Sequence, residues 1–406
     1  MAKSETHHRR PSSMANPVPF LVVGLVVGVP LVLYILFLGL SSIPYFQRNF
    51  LYAHKVHTLW WKDLDEPQQW GFAKNQVTPF SITTADNQTL YAWHILPLPL
   101  YAQHEATLSS QPAGFSHDIT TTHNFRLLRE DPTSKLIISF HGNAGHITQG
   151  HRPSHYHSLT AHTPYHLLTI DYRGFGRSTG SPTEHGLILD AAAAVNWAVH
   201  TAGVPPARIV LLGQSLGTAV AASAAELFTL QEEADFAGVV LVAGFSTLPR
   251  MLSGYAIAGW VPVLRPLTWW PWLLRQVMGR VVDKWESADR LREVVRGVRR
   301  RGGRMRLSLV HARNDWDIPC HEDDLLFRAA VDGLVGTEMD EEGFKTEKAA
   351  RTVVKGEGSF VATWREGDVV VRQELFPYGG HNSILHYSPV LLAVMRSFDL
   401  VEESST

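Results

Sequence analysis

Ser215 lies in Gly213-Gln214-Ser215-Leu216-Gly217, a G-x-S-x-G set between an apolar run (residues 209–212) and the small-residue stretch Thr218-Ala-Val-Ala-Ala-Ser-Ala-Ala. A serine hydroxyl is a weak nucleophile until a neighbouring base takes its proton. It must also be presented on a sharp strand-to-helix turn, which glycines at Gly213 and Gly217 let the backbone make. The candidate base is His381 in Tyr378-Gly-Gly-His-Asn, with His386 as the next candidate. The candidate acid follows the apolar run 307–310, in His311-Ala-Arg-Asn-Asp-Trp-Asp-Ile-Pro, where Asp315 and Asp317 are not separated by spacing alone. Backbone N–H groups of Asn143, in His141-Gly-Asn-Ala-Gly, and of Leu216, directly after the serine, are the candidate donors to a developing oxyanion. The chemistry these groups support together is acyl transfer. A different pairing, His166 with Asp171, has the spacing of an acyltransferase motif, but both residues fall in one strand-like run.

Positioning these residues requires strands that end where they begin. Short apolar runs at 136–140, 166–170, 209–212, 238–243 and 307–311 alternate with helical patterns, notably 187–200, which predicts a mostly parallel sheet flanked by helices on both faces. A hairpin is expected over 77–94, with Ala85-Asp86-Asn87 in its turn. Residues 369–376 read as a strand before the His381 loop. The last helix is expected from Ser388, with Pro389 in its first turn, to about Leu400. Residues 95–134 read as a loop insertion rich in His, Ser and Thr. Residues 247–304 read as a lid-like helical insertion with Trp260, Trp269, Trp270, Trp272 and Trp285, over an acyl pocket or against a bilayer, or alternatively as an inserted helical pair packed into the core. Residues 324–367 read as an acidic surface insertion. The eight arginines from Arg290 to Arg306 read first as a solvated helix face and second as a site for anionic headgroups.

Composition narrows the partners. The formal net charge of the 406 residues is −2, which gives no global basic field for nucleic acid. One cysteine, Cys320, excludes a disulfide framework within the chain. The 21 histidines are scattered without a metal-binding spacing, and no dinucleotide or phosphate loop is present, so neither metal nor cofactor is expected. Protein partners are not legible.

No charged residue occurs between Arg10 and Arg48, and residues 18–40 are apolar throughout, long enough to cross about 30 Å of hydrocarbon. A transmembrane signal anchor is expected there, in preference to a cleaved signal peptide, whose apolar core is usually about 7–15 residues. Lys3, Arg9 and Arg10 favour a cytosolic tail over residues 1–17. Asn87-Gln88-Thr89 is a glycosylation acceptor consistent with a luminal domain, the endoplasmic reticulum being the expected membrane. The segments are then a tail (1–17), a span (18–40), a juxtamembrane stretch (41–76), a catalytic domain (77–400) and a terminal tail (401–406).

HGNAG, the run Asp171 to Asp190 (DYRGFGRSTGSPTEHGLILD), GQSLG, HARNDWDIP and GGHN together resemble the α/β-hydrolase superfamily. More narrowly they are similar to its membrane-anchored monoacylglycerol and lysophosphatidylserine lipases. The resemblance implies the α/β-hydrolase fold over about residues 80–400 and a Ser215-Asp315-His381 triad, the acid being the Asp of H-A-x-x-D and therefore not Asp317. It also implies a single-chain lipid ester as substrate. A protein palmitoyl thioesterase and a non-catalytic hydrolase-fold binding protein are the alternatives. The sequence departs from the pattern at Gln214, where relatives often carry His, and in the length of the 324–367 insertion.

Overall fold

The computed structural model describes residues 24–257 and 261–398. The described residues up to Gln47 form one compact unit and those from Arg48 a second. In the first, a π-helical turn (Gly24–Gly28) leads into an α-helix (Val29–Ser41). Pro30 sits in the first turn of that α-helix, where its missing N–H leaves no bond unmade. The 18 residues Gly24–Ser41 are long and apolar enough to span a bilayer, and none is buried inside the protein. Residues 18–23 of the expected span lie outside the described residues.

The second unit is built on a ten-stranded sheet. In chain order the strands are β1 (Val77–Thr83), β2 (Thr89–Ile95), β3 (Lys135–Phe140), β4 (Tyr165–Ile170), β5 (Ile209–Gln214), β6 (Gly238–Val242), β7 (Met305–Ala312), β8 (Thr352–Gly356), β9 (Ser359–Glu366) and β10 (Val369–Phe376). Across the sheet they run β1-β2-β4-β3-β5-β6-β7-β10-β9-β8. From β4 to β10 every pairing is parallel, while β1, β2, β9 and β8 attach antiparallel at the two edges.

The parallel strands are apolar without interruption because both faces are covered. Along β5, Ile209 and Leu211 enter one core, while Val210 and Leu212 enter the other. Helices Glu184–Asn196, Leu216–Gln231, Ser287–Arg301 and His321–Val335 bury apolar stripes in the first core. Arg152–Ala161 and Ser388–Ser397 cover the opposite face with Tyr156, Leu159, Val390 and Val394. Each such Leu, Ile or Val contributes about 1.5–3 kcal/mol by leaving water.

Four stretches differ from the sequence reading. Residues 95–134 hold two helices, Leu98–Ser110 and His123–Arg129, which bury Tyr101, Leu108, Phe125 and Leu128 beneath a polar surface. The juxtamembrane stretch is no free linker from Tyr52 onward: Tyr52, Leu64 and Phe72 are core residues. Within 247–304, the helix Ser287–Arg301 packs on the sheet through Leu291, Val294, Val295 and Val298, so the lid-like part ends before it. Finally, 324–367 contains β8, β9 and most of a buried crossover helix rather than a surface excursion alone. The shared cause is tertiary: helices whose outer faces are charged still bury a narrow apolar stripe that composition averages away.

Candidate active site

The order β4-β3-β5 reverses the direction in which the chain winds across the sheet, opening a crevice beyond the carboxyl ends of β3 and β5. Both Gly-rich motifs sit there. Ser215 follows β5 with φ 55° and ψ −122°, a strained conformation for a residue with a side chain, and its N–H donates to the Val242 carbonyl at 3.0 Å. The two glycines are dictated by space. A Cβ at Gly217 would lie 2.0 Å from the Phe140 carbonyl oxygen, and one at Gly213 would lie 2.1 Å from the Gly217 carbonyl oxygen. Leu216 then opens the helix Leu216–Gln231, where the first N–H groups of a helix have no intrahelical acceptor.

The loop after β3 carries Gly142 and Asn143. A Cβ on Gly142 would come within 3.3 Å of the Ser215 Cβ, so the loop passes against the nucleophile. Arg152, buried at the start of the Arg152–Ala161 helix, clamps this loop. Its guanidinium donates to the carbonyls of Gly142 (2.9 Å), Asn143 (2.7 Å) and His146. Asp171 holds the far end by accepting the Ile147 N–H at 2.6 Å, and burial pushes its carboxyl up to about 7. His141 Nδ1 donates locally to the Gly142 carbonyl (2.7 Å), and burial holds its imidazole well below the usual range.

Beyond β7 and β10, Asp315 and His381 meet. His381 Nδ1 donates to Asp315 Oδ2 at 2.8 Å. The other Asp315 oxygen accepts the N–H groups of Asp317 and Ile318, both at 2.9 Å. Against its burial, His311 and His381 hold the Asp315 carboxyl below the usual carboxylate range. The Asp317 carboxylate makes no such contact and instead borders the cavity. The His381 loop turns on Gly379 (φ 126°) and Gly380 (φ 55°); the Gly380 N–H donates to Asn314 Oδ1 at 2.8 Å. Gln214 has its own task here, donating from Nε2 to the His381 carbonyl at 3.1 Å. His386 stacks on His151 at 5.8 Å, away from Asp315.

Ser215 and His381 border one cavity of about 350 Å³. Its lining includes the apolar Phe50, Leu51, Leu248, Met251, Leu252 and Ile318 and the polar Gln149, His151, Asp317 and Asn382. The helix Leu248–Gly254 of the lid-like insertion therefore reaches the cavity. Trp269, Trp270 and Trp272 do not line it: they are 83%, 55% and 67% exposed. His166 and Asp171 are not a catalytic pair either, since His166 is buried in β4 against His94, 3.1 Å away. No group of acidic, histidine or cysteine side chains among the described residues has the arrangement of a metal site.

Arg152, Asn314 and the bonding role of Gln214 carry no motif signal and were not expected from sequence. Six arginines of the Arg290–Arg306 run pair with carboxylates: Arg290 meets Glu184 and Glu226, Arg292 meets Asp289, Arg296 meets Glu293, Arg299 meets Glu366, Arg301 meets Asp235 and Arg306 meets Asp368.

A nucleophile elbow at a switch point, with the Asp315–His381 bond beyond the carboxyl ends of the neighbouring strands, defines a class. The pattern of the alpha/beta hydrolase family matches residues 137–393, and the chain belongs to that family. Among its relatives are the lysophosphatidylserine lipase ABHD12 of Bos taurus, 27% identical over 202 residues (50% of this chain, 44% of the relative), and Protein ABHD12B of Homo sapiens, 28% identical over 263 residues (65% and 60%). The chain thus spans about half the length of the curated relatives it matches. An alpha-beta hydrolase from Vibrio vulnificus shares the fold, with a TM-score of 0.51 at 14% identity over 88% of this chain and 94% of that one.

Proposed function

We propose that this chain is a membrane-anchored serine hydrolase that cleaves single-chain lipid esters such as monoacylglycerol or lysophospholipid. The observation that carries the reading is the 2.8 Å bond from His381 Nδ1 to Asp315, with His381 sharing a partly apolar cavity with the strained Ser215. With Nδ1 committed to Asp315, Nε2 is the nitrogen left to take the Ser215 proton. Ser215 Oγ then attacks the ester carbonyl carbon, and the N–H groups of Asn143 and Leu216 hold the oxyanion. His381 returns the proton to the leaving alcohol, and a water activated by the same imidazole releases the acyl group. The apolar lining residues suit one acyl chain and the polar ones a glycerol or headgroup. The names of the ABHD12 relatives support a lysophospholipid. Gly24–Ser41 would anchor the enzyme in the endoplasmic reticulum membrane with its catalytic domain in the lumen.

Full-length protein in detergent, assayed on monoacylglycerol, lysophospholipids of different headgroups and an acyl-cysteine peptide, tests this. Wild type is expected to react with a fluorophosphonate and to prefer the lipid esters, with Ser215→Ala at least about 10⁴-fold slower. Equal turnover by Ser215→Ala removes the mechanism, and preference for the acyl-cysteine peptide replaces the substrate with a thioester.

A further inference from the structure

Behind Asp315 lies a second histidine that the proposed triad does not use. His311, in β7, is fully buried. Its Nε2 faces the Ile318 carbonyl at 3.0 Å and Asp315 Oδ2 at 3.3 Å, the same oxygen that His381 reaches from the other side. Its Nδ1 faces Asp323 Oδ1 at 3.8 Å, and neither of these two buried atoms has a hydrogen-bond partner among the described residues. Asp323 is itself fixed by Gln373 of β10, whose Nε2 donates to Asp323 Oδ2 at 2.9 Å.

Every group facing either ring nitrogen of His311 is thus an acceptor. A lone pair on Nδ1 would point at a buried carboxylate, and a lone pair on Nε2 at a carbonyl and a second carboxylate. Only the doubly protonated ring avoids both repulsions. The remaining titratable neighbour is the Cys320 thiol, at the start of the His321–Val335 helix, which burial pushes up toward its neutral form. On β10, Glu374 is engaged by Arg372 and Arg396. The two aspartates outweigh burial and push the His311 imidazole up to about 10.

We infer that His311, held as an imidazolium by Asp323, is a positioning residue that acts through Asp315. It fixes the carboxylate from behind, and its positive charge opposes premature protonation of His381, extending turnover to lower pH. This rests on the triad reading above. The closing experiment separates the two: Ser215→Ala with wild-type turnover removes the triad, whereas the variants below bear only on His311.

The full chain is assayed for kcat and KM from pH 5 to 9 as wild type, His311→Gln, Asp323→Asn and the double variant. Gln keeps a donor toward Ile318 and Asp315 but removes the charge. The acid limb of kcat/KM is expected to move to higher pH by on the order of one unit in His311→Gln, from the loss of a unit charge two hydrogen-bond lengths away. KM at the pH plateau should stay within about twofold of wild type, since no substrate contact is removed. Asp323→Asn should move the limb in the same direction, because His311 then loses the carboxylate that holds its second proton. The double variant should add nothing further. An acid limb superimposed on wild type, or moved to lower pH, in either variant overturns the inference. Should His311→Gln fail to fold, the isosteric Asp323→Asn arm decides alone.

Discussion

The strain at Ser215 and the different surroundings of Asp315 and Asp317 both arise within a few ångströms. A positive φ at a residue with a side chain costs on the order of 1–3 kcal/mol and persists only where surroundings over-determine it. Here the Val242 bond, the neighbouring Gly213 and Gly217, and the contact with the β3 loop all do so. Asp315 directs one oxygen at two backbone N–H groups and the other at His381, whereas Asp317 faces the cavity. Asp315→Asn is therefore expected to lower kcat by about 10⁴-fold, because the amide favours the wrong imidazole tautomer. Asp317→Asn should change kcat less than about tenfold. Side-by-side kinetics on one lysophospholipid check both, and a reversed order would reassign the acid.

Among the elements, the loop after β3 is the one whose precision depends on a single distant side chain. Arg152 spans three carbonyls with its planar fork, a geometry that a lysine ammonium on a flexible stem does not reproduce. Arg152→Lys is expected to lower kcat by about 10²–10³-fold, the cost of misplacing one oxyanion donor. KM should change little, and fluorophosphonate labelling should persist but slow. Loss of thermal stability without that kinetic split would make Arg152 a purely structural residue. The Ser287–Arg301 helix shows the opposite case. Its many arginines look like a binding feature in sequence, yet their partners are neighbouring carboxylates, and exposed pairs of this kind contribute only about 0–1 kcal/mol each.

At the scale of the molecule, the Gly24–Ser41 helix, long and apolar enough to span a bilayer, belongs to one compact unit and the hydrolase fold to the other. Asn87 lies in the turn of the β1–β2 hairpin, exposed and with φ 61°. If the domain is luminal as proposed, the full chain expressed in a glycosylating cell shows a glycosidase-sensitive mobility shift that is lost in Asn87→Gln. A shift that persists in that variant, or none at all, removes this support for the luminal orientation. The exposed Trp269, Trp270 and Trp272 lie on the lid-like insertion, while the cavity wall takes Leu248, Met251 and Leu252 from the same insertion.

The sequence by itself determined the features that are local in their physics. The strand-to-helix turn at Ser215, the apolar runs of the parallel strands, the β1–β2 hairpin and the extent of β10 all follow from periodicity and from glycines that no other residue can replace. Tertiary structure alone decided what depends on distance between remote positions. Asp315 and His381 are 66 positions apart, and it is the fold that brings the His381 ring within 2.8 Å of the Asp315 carboxylate. Arg152 lies in no motif, and the motifs that contain Gln214 and His311 do not say what those side chains do, because a buried side chain's role is set by the acceptors around it. Those acceptors are backbone carbonyls and carboxylates gathered from β3, β7, β10 and the loops after them, and only the folded chain brings them together.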